Sequence, residues 1–263
     1  MEQFPLSLQI SDMEREDLLR GRIEDLADTA YRRNIVTFTD FLDLYELQIL
    51  HTIDWKGHGV SMSLFGGYGM AERQMAAFFP DALPFEWNFP LTCLHIEPLN
   101  RRFAEELTHR DFLGSILGLG IERCKLGDIL VEEKEAWVFC QDKMADFICR
   151  ELHSIRHTEV MVQVCPDIQQ MDWKPKEEEI TGSVASVRLD TVLALGLKAS
   201  RSSILSLIEG GKVFVNGRLI TTNAYHLAEG DKISVRGKGK FRYGSVLTQT
   251  KKGRSMIQLF RYM

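Results

Sequence analysis

Apolar residues recur at three- and four-residue steps near the start of the chain, which is the spacing of one buried helix face. This pattern predicts a helix over residues 11–33, with Ser11 and Glu14 as its capping box. A second helix is predicted after Asp43, because Glu46 stands where it completes a capping box with Asp43. The chain is therefore expected to begin with two helices.

Residues 60–80 combine a strand pattern with a glycine-rich turn. Apolar and polar residues alternate in VSMSLF at 60–65, as in a half-buried strand, and a GGYG turn follows at 66–69. AERQMAAFF at 71–79 is predicted to be a helix. Phosphate loops share this order, but the P-loop lysine and the G-x-G-x-x-G spacing are missing. The favoured interpretation is a tight turn with Arg73 packed nearby, and the alternative is RNA contact through the glycines and Arg73.

The pattern over residues 83–168 predicts a strand, a helix, two strands, a helix and a strand, in that order. This is the split βαβ order of ferredoxin-like and RRM-type domains. An RRM stacks bases on aromatic residues of its sheet, and Trp137 and Phe139 alternate on the predicted third strand. Nearby glutamates would repel phosphate, so this sheet face is predicted to pack against protein instead.

The predicted fold class is α+β in several domains. A helical and mixed N-terminal region spans residues 1–82, an RRM-like βαββαβ domain spans 83–168, and a small third domain spans 183–263. Two prolines, a charge run and a Gly-Ser end predict a linker over 169–182 between the second and third domains.

The third domain is predicted to contain two short helices and a small curled sheet. Residues 189–196 have the apolar stripe of a first helix, and Ser200 is a natural N-cap for a second, which ends at Gly210-Gly211. Asn216-Gly217 between apolar residues is a strong hairpin signal, and residues 233–235 form the last predicted strand. Two helices facing a curled sheet would leave a concave surface.

This domain carries opposite charge to the rest of the chain. From Ser183 to Met263 there are 14 Lys and Arg against 4 Asp and Glu, a formal charge of +10, whereas residues 1–182 sum to −15. A basic block of this kind binds polyanions, because each neutralised phosphate releases condensed counterions. Helix starts, turns and positions past the last predicted strand supply the candidate RNA-binding residues: Arg188, Lys198, Ser200, Arg201, Ser202, Lys212, Arg218, Lys238, Lys240 and Arg242.

Several classes of protein find no support in the sequence. No apolar run approaches about 18 residues, and the first residues lack the pattern of a secretory signal, so no membrane partner is predicted. The five cysteines lack CxxC spacing, which indicates reduced thiols in the cytoplasm and no zinc finger. No nucleophile motif accompanies the histidines and carboxylates, so the sequence predicts neither an enzyme nor a cofactor or metal site.

Several motifs occur in a fixed order in the third domain: Arg188-Leu189-Asp190, Ser200-Arg201, the stretch from Ile208 to Gly217, and Gly230 to Ile233. Together they closely resemble the RNA-binding domain named after ribosomal protein S4, also called the αL motif. One departure is the Gly210-Gly211 pair, where a single glycine is usual. The resemblance implies binding to structured RNA such as ribosomal RNA or tRNA, in agreement with the charge of the domain.

Motifs in the first two domains extend the resemblance to nearly the whole chain. They are similar to those of YlmH-type bacterial RNA-binding proteins: FTDFLD at 38–43, FGGYGMAER at 65–73, HRDFLGSILGLGIER at 109–123 and LGDILV at 126–131. The resemblance implies binding to large ribosomal subunits that carry stalled peptidyl-tRNA, and a role in ribosome-associated quality control. It also implies a link to cell division, direct or indirect.

The leading prediction is a non-enzymatic RNA-binding factor. We expect a cytoplasmic monomer whose partners are ribosomal RNA, tRNA and the large ribosomal subunit. One alternative is an RNA-modifying enzyme, similar to a pseudouridine synthase, that uses the third domain as a targeting arm. Another is a scaffold for cell-division proteins.

Overall fold

The chain forms two compact units, Met1–Trp173 and Lys174–Met263. Both combine helices with antiparallel sheets, which confirms the predicted α+β class. The structure is a computed structural model, and it describes residues 12–55, 59–81, 86–165, 176–249 and 253–262.

The first unit begins with two helices packed on a small sheet. Its elements are α1 (Asp12–Arg33), β1 (Thr37–Phe38), α2 (Leu44–His51), β2 (Val60–Phe65) and β3 (Met75–Pro80), with the sheet order β1-β3-β2. Ile23 of α1 and Phe78 of β3 are both 0 % exposed in the shared core. Asp43 and Glu46 form the predicted capping box at the start of α2. The predicted capping residue Ser11 lies outside the described residues.

The helix predicted for residues 71–79 is wrong, because Met75–Pro80 is the central strand of this sheet. β3 pairs with β1 on one side and with β2 on the other, and five of its six residues are buried. A strand that is buried on both faces shows no alternation of apolar and polar positions. Its sequence therefore resembles a short buried helix.

The rest of the first unit is a five-stranded sheet with two helices on one face. Its elements are β4 (Leu91–Pro98), α3 (His109–Gly118), β5 (Leu126–Glu132), β6 (Glu135–Gln141), α4 (Asp142–Glu151), β7 (Ser154–Ile155) and β8 (Thr158–Cys165). The sheet order is β5-β6-β4-β8-β7. β6 lies between β4 and β5, the strands that flank α3, and β4 lies between β6 and β8, which precede and follow α4 and β7. This is the predicted split βαβ arrangement, with β7 as an added short edge strand.

The second unit packs two short helices on one face of a six-stranded sheet. Its elements are β9 (Glu177–Val184), α5 (Leu189–Gly196), α6 (Arg201–Glu209), β10 (Val213–Val215), β11 (Arg218–Leu219), β12 (Lys232–Val235), β13 (Gly239–Gln249) and β14 (Ser255–Tyr262). The sheet order is β11-β10-β12-β13-β14-β9. Leu193 and Ile204 of the helices share a core with Phe241 and Leu259 of the sheet.

Both predicted helices and the hairpin turn of this unit are present. Asn216 and Gly217 have φ angles of 48° and 81°, the left-handed values that a two-residue hairpin turn requires. The sheet is larger than predicted. β9 begins at Glu177, inside the range 169–182 that was predicted as a linker, and β13 and β14 follow the strand at 233–235. β9 was not recognised in the sequence because it begins with three acidic residues, Glu177–Glu179, where a strand pattern would have apolar residues. An edge strand tolerates such residues, because it is exposed to solvent.

Among the helices that the structure describes, none by itself combines the length and the apolar character of a membrane span. α5 and α6 meet that test only when they are joined across a bend of 118°.

Candidate nucleic-acid interface

A buried carboxylate, Asp190, holds two arginines where the starts of α5 and α6 meet. Asp190 is 0 % exposed. Arg188, the N-cap residue of α5, donates from Nε to Oδ1 at 3.1 Å and from Nη2 to Oδ2 at 3.0 Å. Arg201, the first residue of α6, donates from Nε to Oδ2 at 2.9 Å, and its Nη2 lies 2.7 Å from the same oxygen. The two guanidinium groups are thereby fixed close together.

The pair of arginines keeps Asp190 ionised. Burial alone would raise the pKa of Asp190, but hydrogen bonds from Arg201 and Arg188, together with their charges, outweigh burial and lower the pKa. The side chains of Arg188 and Arg201 remain 30 % and 59 % exposed. Because each guanidinium carries five N–H donors, both retain donors for a ligand, and neither has to be ordered when the ligand binds.

The lowered pKa makes the second unit sensitive to acid. The carboxyl of Asp190 titrates near 3.8 when unfolded and below that value in the fold, so its stabilising contribution is complete above the unfolded pKa. The contribution is lost as the pH falls through the folded pKa. We expect the free energy of unfolding, measured by urea titration, to fall in this window below about pH 4. Asp190→Asn is expected to remove part of that decline, and an unchanged decline in the variant would contradict the assignment.

The first turn of α6 adds hydroxyls and backbone donors beside the arginine pair. Ser200 is the N-cap, as predicted, and its Oγ accepts a hydrogen bond from the Ser203 amide at 3.3 Å. The same Oγ lies 3.0 Å from the Ser202 hydroxyl. Lys198 is exposed in the preceding turn, with a φ of 49°. Together these residues form the helix-end surface, which consists of Arg188, Lys198, Ser200, Arg201 and Ser202.

Three more candidate residues lie at the two ends of β10. Lys212 connects α6 to β10, and its carbonyl accepts a hydrogen bond from the Arg236 amide at 2.9 Å. Lys238 is in the turn between β12 and β13, where its amide bonds to the carbonyl of Val235 at 3.0 Å. Arg218 follows the Asn216-Gly217 turn at the opposite end of β10 and is exposed.

The last two candidates, Lys240 and Arg242, do not join the helix-end surface. They are on β13 and alternate with buried Phe241 and Tyr243, whose side chains face α5 and α6. Alternation along a strand therefore directs Lys240 and Arg242 to the opposite face of the sheet. The concave surface inferred from the sequence is corrected accordingly: the ten candidate residues do not share one surface, because Lys240 and Arg242 lie on the sheet face opposite α5 and α6. The error arose because β13 and β14 were not predicted.

Arg242 is already engaged on that opposite face. Its Nε and Nη2 donate to the carboxylate of Glu177 at 3.1 and 2.6 Å, and its guanidinium lies 4.0 Å from the ring centroid of Phe260. The hydrogen bond and charge of Glu177 raise the pKa of Arg242.

The sheet of the RRM-like domain is covered where Phe139 lies. Phe139 is 0 % exposed and stacks on Tyr68 of the GGYG turn, with ring centroids 5.2 Å apart. This confirms for Phe139 the prediction that the face packs against protein. Trp137, two residues earlier, is half-buried and stacks on His95 at 4.9 Å.

The GGYG turn and Arg73 form a structural joint within the first unit. Arg73 donates from Nε to the carbonyl of Leu126 at 3.0 Å and from Nη2 to that of Phe41 at 2.9 Å. Asp128 accepts hydrogen bonds from the Tyr68 hydroxyl and from the amides of residues 72 and 73. Burial raises the pKa of Asp128. The favoured interpretation, a tight turn with Arg73 packed nearby, is confirmed.

One group in the described residues has the geometry of a metal site. His95, Glu97 and Glu135 each place a potential ligand atom within 4.8 Å of the others. Glu135 already pairs with His95 Nε2 at 2.7 Å and with Arg101, so the charge of this carboxylate is balanced by the protein itself. The absence of a metal site remains a prediction from the sequence.

Comparison with known proteins agrees with this architecture. Residues 84–169 match the family described as "Putative RNA-binding domain in YlmH", and residues 187–233 match the S4 domain. "Ribosome-associated protein quality control protein P2" of Bacillus subtilis is 32 % identical over 228 residues, which cover 85 % of this chain and 86 % of that protein. "Small ribosomal subunit protein uS4" of Flavobacterium psychrophilum is 36 % identical over 63 residues, which cover 24 % and 31 % of the two chains.

A solved structure titled "Cell division protein ylmH from Streptococcus pneumoniae" shares the fold of part of the chain. It is matched over 64 % of this chain and 100 % of its own, with a TM-score of 0.51 and 20 % sequence identity. At that identity the similarity concerns the fold alone.

An S4 domain joined to a second domain of RNA-binding type defines the class: this is an S4-domain RNA-binding protein. The identity to the Bacillus subtilis protein extends over most of both chains. The chain therefore belongs to the YlmH family, as its motifs predicted.

Sequence reasoning missed the importance of Asp190. It is part of the Arg188-Leu189-Asp190 motif, but an aspartate in a basic domain was not counted as a site residue. Asp190 directly follows the apolar Leu189 and belongs to the same set of motifs as Arg188 and Arg201. An acidic residue grouped with two arginines in this way is the signal that could have identified it.

Proposed function

We propose that the protein binds structured RNA of ribosomal particles through its S4 domain and catalyses no reaction. The observation that carries this proposal is the helix-end surface, where Asp190 pre-orders Arg188 and Arg201 beside the first turn of α6. Phosphate groups suit such a surface, because guanidinium groups and helix starts both favour anions.

The surface suits folded RNA in particular. An RNA duplex hides its base edges in a deep, narrow major groove, so phosphates and 2′-hydroxyls are the groups a protein can reach. Cations and hydroxyls at fixed helix ends can contact that backbone without reading the bases. The helix-end surface therefore recognises the shape of an RNA junction more than its sequence.

The particle we propose is the large ribosomal subunit with peptidyl-tRNA, and the process is ribosome-associated quality control. The name of the Bacillus subtilis relative supports the process and the association with ribosomes, and the large subunit and peptidyl-tRNA are part of the proposal alone. The protein would act as a monomer in the cytoplasm, with ribosomal RNA and tRNA as its partners. The charge of −15 on residues 1–182 suits that part of the chain to contacts other than phosphate.

Two lysines offer a test of this function that leaves the Asp190 network intact. The double variant Lys198→Gln with Lys212→Gln is expected to leave the large subunit at lower salt than the unaltered protein does. If both lysines contact phosphates, the slope of log affinity against log salt becomes shallower by about 1.8, since each contact contributes about 0.9. The measurement is co-sedimentation with purified large subunits over a salt series.

The control is Arg15→Gln with Arg33→Gln, which removes two exposed positive charges from α1. It is expected to behave like the unaltered protein. Equal release of all three proteins across the salt series would contradict a role for the S4 domain. Nucleoside mass spectrometry of RNA from cells that lack the protein tests the enzyme alternative, because a missing modification would favour it.

A further inference from the structure

The sheet of the second unit has a second face that the helix-end surface does not use. Its residues follow from the register of the strands. Phe214 of β10 pairs with Ser234 of β12, which pairs with Lys240 of β13, and these three side chains form one row across the sheet. Arg242 of β13 pairs with Phe260 of β14 in the next row. These residues alternate with the core residues, so they face away from α5 and α6.

Cations and aromatic rings are interleaved on this face. Arg236 lies over the ring of Phe214 at 4.8 Å, and Arg242 lies over the ring of Phe260 at 4.0 Å. Arg236 and Lys240 are exposed, and both phenylalanines are half-buried. These residues form the outer sheet face, which consists of Phe214, Arg236, Lys240, Arg242 and Phe260.

The charge of the outer sheet face is distributed unevenly. Glu177 on the edge strand β9 pairs with Arg242, so that end of the face is nearly neutral. Arg236 and Lys240 are basic residues beside Phe214, and Lys238 lies in the turn between β12 and β13. A backbone that passes over β10 and β12 would therefore meet positive charge on either side of an aromatic ring.

Unpaired RNA is the ligand that fits this combination. Proteins that hold single strands use aromatic residues to stack bases and a positive groove to follow the phosphates. A duplex does not offer its bases for stacking, so the rings of the outer sheet face would be unused by a duplex. The other sheet that could have supplied such a platform, in the RRM-like domain, has Phe139 covered by Tyr68.

We propose that the outer sheet face binds a single-stranded RNA segment, so that the second unit contacts two RNA elements at once. The helix-end surface holds a folded element, and the outer sheet face stacks unpaired bases on Phe214. This inference rests on the proposed function, since it assumes that the unit binds RNA.

The test compares two RNA probes with the full-length protein. One is a blunt RNA duplex, and the other is the same duplex with an unpaired tail of about ten nucleotides, within the usual site size of such platforms. We expect the tail to increase the affinity about tenfold. Phe214→Leu, which keeps an apolar side chain but removes the ring, is expected to abolish that gain and to change binding of the blunt duplex less than about twofold.

A second variant tests the charges. Arg236→Gln with Lys240→Gln is expected to make the salt dependence of single-strand binding shallower by about 1.4, because each phosphate contact on a single strand contributes about 0.7. The matched control, Arg15→Gln with Arg33→Gln, removes the same charge from α1 and is expected to change nothing.

The outcomes separate the two proposals. If the unaltered protein binds neither probe, the proposed function fails. If it binds both probes equally, or if Phe214→Leu weakens both to the same extent, the function stands and the outer sheet face is not a single-strand site.

Discussion

Asp190→Asn is expected to weaken binding to folded RNA about tenfold, although the substitution makes the domain more positive. The physical reason is that Asp190 holds the two arginine side chains in place before RNA binds. Asp190 fixes Arg188 and Arg201 through four contacts of 2.7 to 3.1 Å. The neutral amide has one acceptor oxygen and no charge, so it cannot maintain all four. Two long side chains must then be ordered by the RNA, at a cost of about 0.5–1.5 kcal/mol each.

The same variant is expected to destabilise the second unit by about 2–3 kcal/mol, because two neighbouring guanidinium groups lose their counter-charge. Partial exposure of both arginines keeps the effect below that of a fully buried broken pair. Hydrogen exchange of the amides in β13 and β14 measures this change directly.

Glu209→Gln is the matched control for Asp190→Asn. Glu209 is exposed in the same unit, and the variant removes the same charge but retains an acceptor for Asn223, whose Nδ2 lies 3.0 Å from Oε1. We expect this control to bind RNA as well as the unaltered protein. If Asp190→Asn binds as tightly as Glu209→Gln at every salt concentration, the arginine pair is not the pre-ordered site described above.

Gly67→Ala is expected to destabilise the first unit by about 3 kcal/mol or more. Gly67 has a φ of 101°, and an added Cβ would lie 2.2 Å from Cδ1 of Phe139. Phe139 is 0 % exposed and stacks on Tyr68, so its ring has no space into which it can move. Both the backbone conformation and the contact therefore oppose the substitution.

Gly69→Ala, two residues further along, is the control for Gly67→Ala. An added Cβ at Gly69 meets nothing within 4 Å. Trp55, Trp87 and Trp137 lie in the first unit, so tryptophan fluorescence during urea unfolding reports on that unit. Similar unfolding midpoints for the two variants would show that the packing of the GGYG turn on Phe139 of the five-stranded sheet does not stabilise this unit.

Local signals in the sequence predicted much of the fold. The capping box at Asp43, the N-cap at Ser200 and the Asn216-Gly217 turn each depend on a few neighbouring residues, and all three are present. The split βαβ order was also predictable, because each of its elements has its own apolar period. The family motifs added the identity of the S4 domain, and the charge of +10 independently indicates a polyanion as its ligand.

The errors concern pairing between distant parts of the chain. β3 resembled a helix because strands on both sides bury it, and β9 resembled a linker because its partner β14 is more than 70 residues away. Without β13 and β14, Lys240 and Arg242 could not be assigned to a sheet face. Asp190 was missed for a similar reason, since its role depends on Arg201, eleven residues along the chain.

The most direct test of the account is the salt dependence of folded-RNA binding when the arginine pair is removed without leaving a buried charge. The triple variant Arg188→Gln, Asp190→Asn and Arg201→Gln replaces the whole network with neutral hydrogen-bonding groups. With full-length protein and tRNA, we expect weaker binding and a slope of log affinity against log salt that is shallower by about 1.8. An unchanged affinity and slope would contradict the claim that these two arginines hold RNA phosphates.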